Sequence, residues 1–443
     1  MIKICDAIMG SGKSSAAITY MNEHSGQKFI YITPYLDEAT RIRNGCPDLR
    51  FVEPSDKISA YGFTKTGHTL QLLKEGRNIA TTHQALKFYT KEITDLVREK
   101  EYTLIIDEDV EMLERVKCHP GDIELLVRAG YLKQDGDNFT VVDDSYSGAA
   151  LKGIFRVMQS RDLTMAPMSD GEDDGDSHCD EDDCVVDVEG CKKLLYWVLP
   201  ASLISAFKDV FVLTYLFESQ DIHHMFELNH LDYQYIYVSK GDDSVYRFSD
   251  SLCYMPPVSA HLADLIHIID HRKLNAIGED YYALSSSWCS KNPDGVDKMS
   301  KHLFNYFTNL TDAPTCNRMW SCYKNIKPKL SRKGYTKRHV SFNIKATNDL
   351  RNCDVLAYPV NLFVNVGIKI FYRQYGITIS DNAYALSTMI QWIWRSAIRD
   401  GKEIYLYLPS SRMRKLLEDW MEDVRQQYIA WENIQEAGGF DHE

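Results

Sequence analysis

Six residues near the start of the chain, Gly10, Ser11, Gly12, Lys13, Ser14 and Ser15, have the types and spacing that hold a nucleotide phosphate. They follow Ala7-Ile-Met, so the run fits phosphate-loop spacing with Ala7 in place of the first glycine. In such a loop Gly10 and Gly12 let backbone N–H groups turn inward on the β-phosphate. Lys13 reaches the β- and γ-phosphates, and the Ser14 hydroxyl ligates Mg²⁺. Taken alone, the run also fits a flexible Gly/Ser turn that precedes a lysine. A second stretch, LIIDEDV at 104–110, ends an apolar run in carboxylates. Asp107 is expected in the Mg²⁺ shell and Glu108 beside the attacking water. The plainer alternative is a strand followed by an acidic turn, with Asp109 capping the next helix.

A third stretch, QWIWRSAIRDG at 391–401, supplies cations. On one continuous helix Gln391, Arg395 and Arg399 fall at i, i+4 and i+8 and share a stripe. Two guanidiniums and an amide on one stripe suit a γ-phosphate sensor, which stabilises the charge of a phosphoryl-transfer transition state. An amphipathic helix with solvated arginines is the other reading.

These residues need elements to position them. IKIC, KFIYITP, NIATT and YTLIIDEDV read as buried strands separated by helical patterns, which predicts a parallel sheet with helices on both faces. From about residue 228 the alternation restarts, with DYYALSSSW, VSFNIKA, DVLAYPV and EIYLYLP as strand candidates and DNAYALSTMIQWIWRSAIRD as a helix. The expected organisation is α/β, with one unit at 1–225 and a second at 226–443 that has no phosphate loop of its own. The acidic run near 169–184 is expected to be a disordered loop insertion. Its His178, Cys179 and Cys184, with Cys191, match no closed zinc spacing. HHMFELNH, with His223, His224 and His230, reads as an amphipathic helix rather than a ligand set.

Composition bounds the function. With 443 residues the chain is long enough for two or three domains. No apolar run reaches the roughly 18 residues of a membrane span, and the eleven cysteines lack paired spacing, so a reduced, cytosolic protein is expected. A net charge of −13 excludes wholesale coating by nucleic acid but not a local basic channel. The segment 318–351 holds ten basic residues, among them Lys333, Lys337 and Arg338, against the single acid Asp349. Trp320, Tyr323 and Tyr335 interleave with them, which suits a strand held by phosphate contacts and stacking, or else a solvated basic loop.

Together the phosphate loop, the Asp107-Glu108 box and Gln391-x-x-x-Arg395 resemble the superfamily 2 helicases and translocases of DEAD/DEAH-like type. VLTYLF at 212–217 is similar to their motif III through Thr214, YITP at 31–34 to motif Ia, ATTHQAL at 80–86 to motif Ib, and ATND at 346–349 to motif V. The resemblance implies two tandem RecA-like P-loop NTPase domains, ATP and Mg²⁺ as cofactors, and nucleic-acid contacts from Thr33, Thr82 and Thr347. It further implies single-stranded or forked DNA as partner, replication proteins beside it, and no membrane. The C-terminal block looks like a helicase-like ATPase group common in bacteriophages and mobile elements, whose phage-encoded members act in the host cytoplasm. Val110 stands at the fourth box position, Trp392 and Trp394 replace the usual residues of motif VI, and Arg399 falls one place late. The expected activity is ATP-dependent DNA unwinding or translocation. An ATP-switch protein that loads or regulates a replication partner is the alternative.

Overall fold

A computed structural model describes residues 1–57, 64–168, 183–188, 191–343 and 350–436. The acidic run as far as residue 182 lies outside the described residues, as do Thr347 and the rest of 346–349.

Four strands open the chain: β1 (Ile2–Asp6), β2 (Lys28–Thr33), β3 (Ile79–Thr82) and β4 (Tyr102–Asp107). All six residues of β4 are buried, as are all but the first of β2. Strands buried on both faces need helices on both sides, the condition of a parallel sheet. Fully buried side chains such as Ile105 and Ile106 each contribute about 2–5 kcal/mol against truncation to alanine.

The chain then leaves this sheet for β5 (Leu113–Arg115), β6 (Leu132–Asp135), β7 (Asn138–Val141), β8 (Asp162–Pro167), β9 (Val185–Val188) and β10 (Cys191–Val198). Every pairing among these six is antiparallel, in the order β5-β10-β8-β7-β6 with β9 also on β10. Phe139, Phe155, Leu163 and Trp197 lie in a core of their own beneath it. The inserted segment is therefore a folded antiparallel layer, broader than the acidic loop that composition marks.

The main sheet resumes with β11 (Asp209–Thr214), β12 (Tyr233–Lys240) and β13 (Tyr246–Ser249), giving the order β13-β12-β1-β11-β4-β2-β3. All its pairings are parallel except β12 with β13. Because β12 hydrogen-bonds directly to β1, the expected boundary at 225 is corrected. One unit comprises Met1–Ala7, Gly12–Ser251 and Asn365–Ile379. Its returning segment carries Phe371 and Tyr372 into the main-sheet core.

The second unit comprises Ile8–Ser11, Leu252–Val364 and Ser380–Glu443. Its sheet is β14 (Ile266–Ile268), β15 (Arg318–Trp320), β16 (Val355–Ala357) and β17 (Ile404–Tyr407), wholly parallel in the order β14-β17-β16-β15. DVLAYPV and EIYLYLP supply β16 and β17 as expected. DYYALSSSW does not form a strand: Ser285 accepts from Trp288 N at 3.2 Å and caps the helix Ser286–Lys291. The described residues of VSFNIKA, 340–343, are not in a strand either. Among the described residues, no helix is long and apolar enough to cross a membrane.

Candidate nucleotide site

The site is built at the carboxyl edge of the main sheet, where open α/β sheets bind ligands. β1 ends at Asp6, and its carboxylate accepts the backbone N–H groups of Leu216 and Phe217 at 2.8 and 3.0 Å. Ala7 N–H donates to the Thr214 carbonyl at 3.0 Å, so the root of the loop is fixed to the end of β11. Gly10 and Gly12 have φ of +83° and +92°, the left-handed region that glycine enters without strain. Gly12 also opens the helix Lys13–Glu23, and a Cβ there would lie 2.3 Å from Cδ1 of Tyr246. Ser11 is buried and Ser15 half-buried.

Lys13 Nζ donates to the Ala7 carbonyl. Burial lowers the pKa of its ammonium, and the nearby Cys5, Asp107, Asp6 and Glu108 oppose that shift. Asp107 ends β4, and its Oδ2 accepts from Ser14 Oγ at 3.0 Å and from Tyr31 OH at 2.7 Å. Burial raises its pKa against those two hydrogen bonds and the Lys13 charge. Glu108 follows at φ +65°, with its N–H on the Leu213 carbonyl at 2.9 Å. A non-glycine residue held there costs about 1–3 kcal/mol, and such strain clusters at functional sites.

These residues fit ATP with Mg²⁺. Neighbouring oxygens on an octahedral Mg²⁺, at 2.0–2.1 Å from the ion, stand about 2.9 Å apart. Ser14 Oγ and Asp107 Oδ2 already stand 3.0 Å apart. Tyr31 is the member that sequence reading missed. Its signal was a phenol inside a strand otherwise too apolar to satisfy it. His83 belongs here as well: its Nε2 lies 2.8 Å from the Asp107 carbonyl oxygen, so that nitrogen carries the proton. Thr214, buried at the end of β11, has its Oγ1 2.8 Å from Gln220 Oε1.

The remaining expected residues are placed otherwise. The helix Asp381–Ile393 ends before Arg395, so the three-residue stripe is corrected. Arg395 N–H and Ser396 N–H turn to the carbonyls of Trp392 and Ile393, three residues back, and Ala397 N–H leaves for Cys353 at 2.9 Å. Only Gln391 stays on the helix, with Nε2 3.5 Å from Ser387 Oγ. Arg395 is buried beyond the helix end, and Arg399 is exposed on the turn Ala397–Asp400.

Thr33 is fully buried at the end of β2, which removes its side chain from any nucleic-acid surface, whereas Thr82 at the end of β3 is half-buried. Lys333 and Lys337 are exposed. Arg338 instead donates to the carbonyls of Arg318 at 3.0 Å and Cys316 at 2.8 Å. Trp320 and Tyr335 are buried edge to face, with centroids 5.4 Å apart, so they serve the core rather than base stacking.

A family model, the YonV C-terminal Rossmann-like domain, matches residues 260–421. The SPbeta prophage-derived uncharacterized protein YonV of Bacillus subtilis (strain 168) is 35% identical over 438 residues, covering 96% of this chain and 99% of its own. Among solved structures, an apo XPD is 10% identical with a TM-score of 0.46, covering 94% of this chain and 95% of that one. S. tokodaii Xpd4 is 12% identical with a TM-score of 0.46, covering 95% and 94%. The DUF1998 helicase MrfA bound to DNA is 9% identical with a TM-score of 0.31, covering 96% and 46%.

Proposed function

The chain belongs to the YonV family, and from the geometry at Ser14 and Asp107 we propose that it is an ATP- and Mg²⁺-dependent DNA helicase or translocase. The observation that carries this reading is the 3.0 Å bond from Ser14 Oγ to Asp107 Oδ2. It joins the phosphate-loop serine to the carboxylate of a buried strand, at the spacing one Mg²⁺ requires of adjacent ligands.

Bound ATP–Mg²⁺ supplies a phosphoryl group whose transfer to water releases the energy for movement. The chain's own groups do the rest. Gly10 and Gly12 turn backbone N–H groups toward the phosphates, and Lys13 gives up its bond to Ala7 to reach them. Ser14 and Asp107 orient the ion, with Tyr31 holding the far side of the carboxylate. Glu108 orients the water and takes its proton, and Arg395 is the transition-state cation. Phosphate contacts fall to the exposed Lys333 and Lys337. The prophage origin of the relative supports DNA as the polymer.

The test is phosphate release from ATP by the full chain with single-stranded DNA, duplex DNA or RNA, beside a strand-displacement assay. DNA-stimulated hydrolysis that Lys13→Ala abolishes is expected. Hydrolysis unchanged in Lys13→Ala would refute the site, and ATP binding with no stimulation by any polymer would refute the motor.

A further inference from the structure

The helix Asp221–Leu228 carries a cluster that the nucleotide site does not use. His223 Nδ1 and His224 Nδ1 lie 3.6 and 3.4 Å from the same oxygen, Glu227 Oε2. One ligand atom from each of the three residues falls within 4.8 Å of the other two. The rings are packed in apolar surroundings: His224 stands edge to face with Tyr372 at 5.5 Å, and His223 with Phe217 at 5.1 Å. Among the described residues, the buried His223 Nδ1 makes no hydrogen bond. A buried imidazole nitrogen without one costs free energy, which a bound ion would recover. Glu227, with 46% of its side chain exposed, opens the cluster to solvent.

We propose that His223, His224 and Glu227 bind one divalent transition-metal ion of the zinc class, separate from the Mg²⁺ of the nucleotide site. Tetrahedral coordination at 2.0–2.1 Å sets ligand atoms about 3.3 Å apart, close to the two histidine–glutamate separations of 3.6 and 3.4 Å. Two imidazoles and one carboxylate select zinc or cobalt over Mg²⁺, which takes oxygen ligands. Three protein ligands leave the fourth position to water on the Glu227 side.

The ion would stiffen a segment that already ties two elements together. Asp221, at the start of the same helix, accepts Met112 N–H at 2.5 Å, Leu113 N–H at 2.8 Å and Tyr372 OH at 2.5 Å. Residues 112 and 113 closely follow Glu108, so metal binding would steady the chain just beyond the candidate catalytic carboxylate.

The test uses the tag-free full chain, stripped with a chelator and titrated with Co²⁺ in excess Mg²⁺. One Co²⁺ per chain is expected, with the visible absorption of tetrahedral cobalt, displaced by Zn²⁺. Glu227→Gln, at a half-exposed site, should melt like the wild type in chelator, and it and His223→Gln should each weaken binding by about tenfold or more. No saturable absorption in the wild type would overturn the proposal. So would equal Co²⁺ affinity in both variants and the wild type, which would place the ion on other histidines.

Discussion

Ser14 Oγ donates to Asp107 Oδ2 across 3.0 Å, tying the first turn of the helix Lys13–Glu23 to the carboxyl end of β4. The acceptor is a buried carboxylate whose pKa burial raises above the ordinary 3.8. A carboxyl with a raised folded pKa loses folded-state stability progressively as pH rises from the ordinary 3.8 through the folded pKa, because the unfolded chain releases the proton more readily, and above that pKa the loss is complete. Asp107→Asn removes this penalty and keeps an oxygen to accept from Ser14 and Tyr31. The variant should therefore melt higher than the wild type at pH 7, while hydrolysis falls by on the order of 10²-fold or more. The difference in melting temperature should shrink as pH falls toward 3.8. Thermal melts across pH, run beside phosphate release, check both parts, and an equal or lower melting temperature at pH 7 would refute the electrostatic half.

Gly12 is required twice, by its φ of +92° and by the Tyr246 ring where a Cβ would stand. Gly12→Ala should lose about 1–2 kcal/mol to the left-handed backbone and about 1–3 kcal/mol to overpacking. Adding Tyr246→Ala should restore only the second part. Urea denaturation of the two variants and Tyr246→Ala alone separates them, and full additivity of the single changes would refute the steric clash.

Much of this was legible in sequence because it rests on local rules. The buried runs of β1, β2 and β4 and the loop glycines announce themselves by residue type, and so does the Asp107-Glu108 pair. What the sequence did not disclose depends on long-range pairing. β12 is half exposed and alternates weakly, yet it closes on β1 and moves the domain boundary to Ser251. β15 hides inside the basic segment because its register with β16, not its composition, makes it a strand. Trp320 and Tyr335 looked like stacking platforms until their mutual packing put them in the core. The helical periodicity that linked Gln391 to Arg395 failed because the Ala397 N–H is captured by Cys353.

The break after Ile393 separates the fates of two arginines. Arg395 is buried, whereas Arg399 lies exposed on the following turn. Arg395→Ala should keep ATP affinity within about threefold while hydrolysis drops by on the order of 10³-fold, the scale of a missing transition-state arginine. Arg399→Ala should leave turnover within about twofold, since exposed substitutions rarely exceed about 0.5 kcal/mol. Fluorescent-nucleotide titration and single-turnover hydrolysis read the two quantities separately. Equal losses from both variants would remove Arg395 from its assigned role.

The basic segment divides in the same way between surface and scaffold. Lys333 and Lys337 are exposed, while Arg338 spends its guanidinium on the Arg318 and Cys316 carbonyls. Lys333→Glu with Lys337→Glu should weaken single-stranded DNA binding and lower its salt slope by about 1.4, at about 0.7 for each phosphate no longer neutralised. The melting temperature of that double variant should not move. Arg338→Ala should instead lower stability by about 1.5 kcal/mol, the lower end for charge-assisted hydrogen bonds, since one accepting carbonyl is part-buried and the other exposed, and leave the salt slope as it was. Fluorescence anisotropy against salt concentration, paired with urea denaturation, distinguishes the two classes. A salt slope that falls for Arg338→Ala but not for the lysine pair would move the polymer-binding surface away from Lys333 and Lys337.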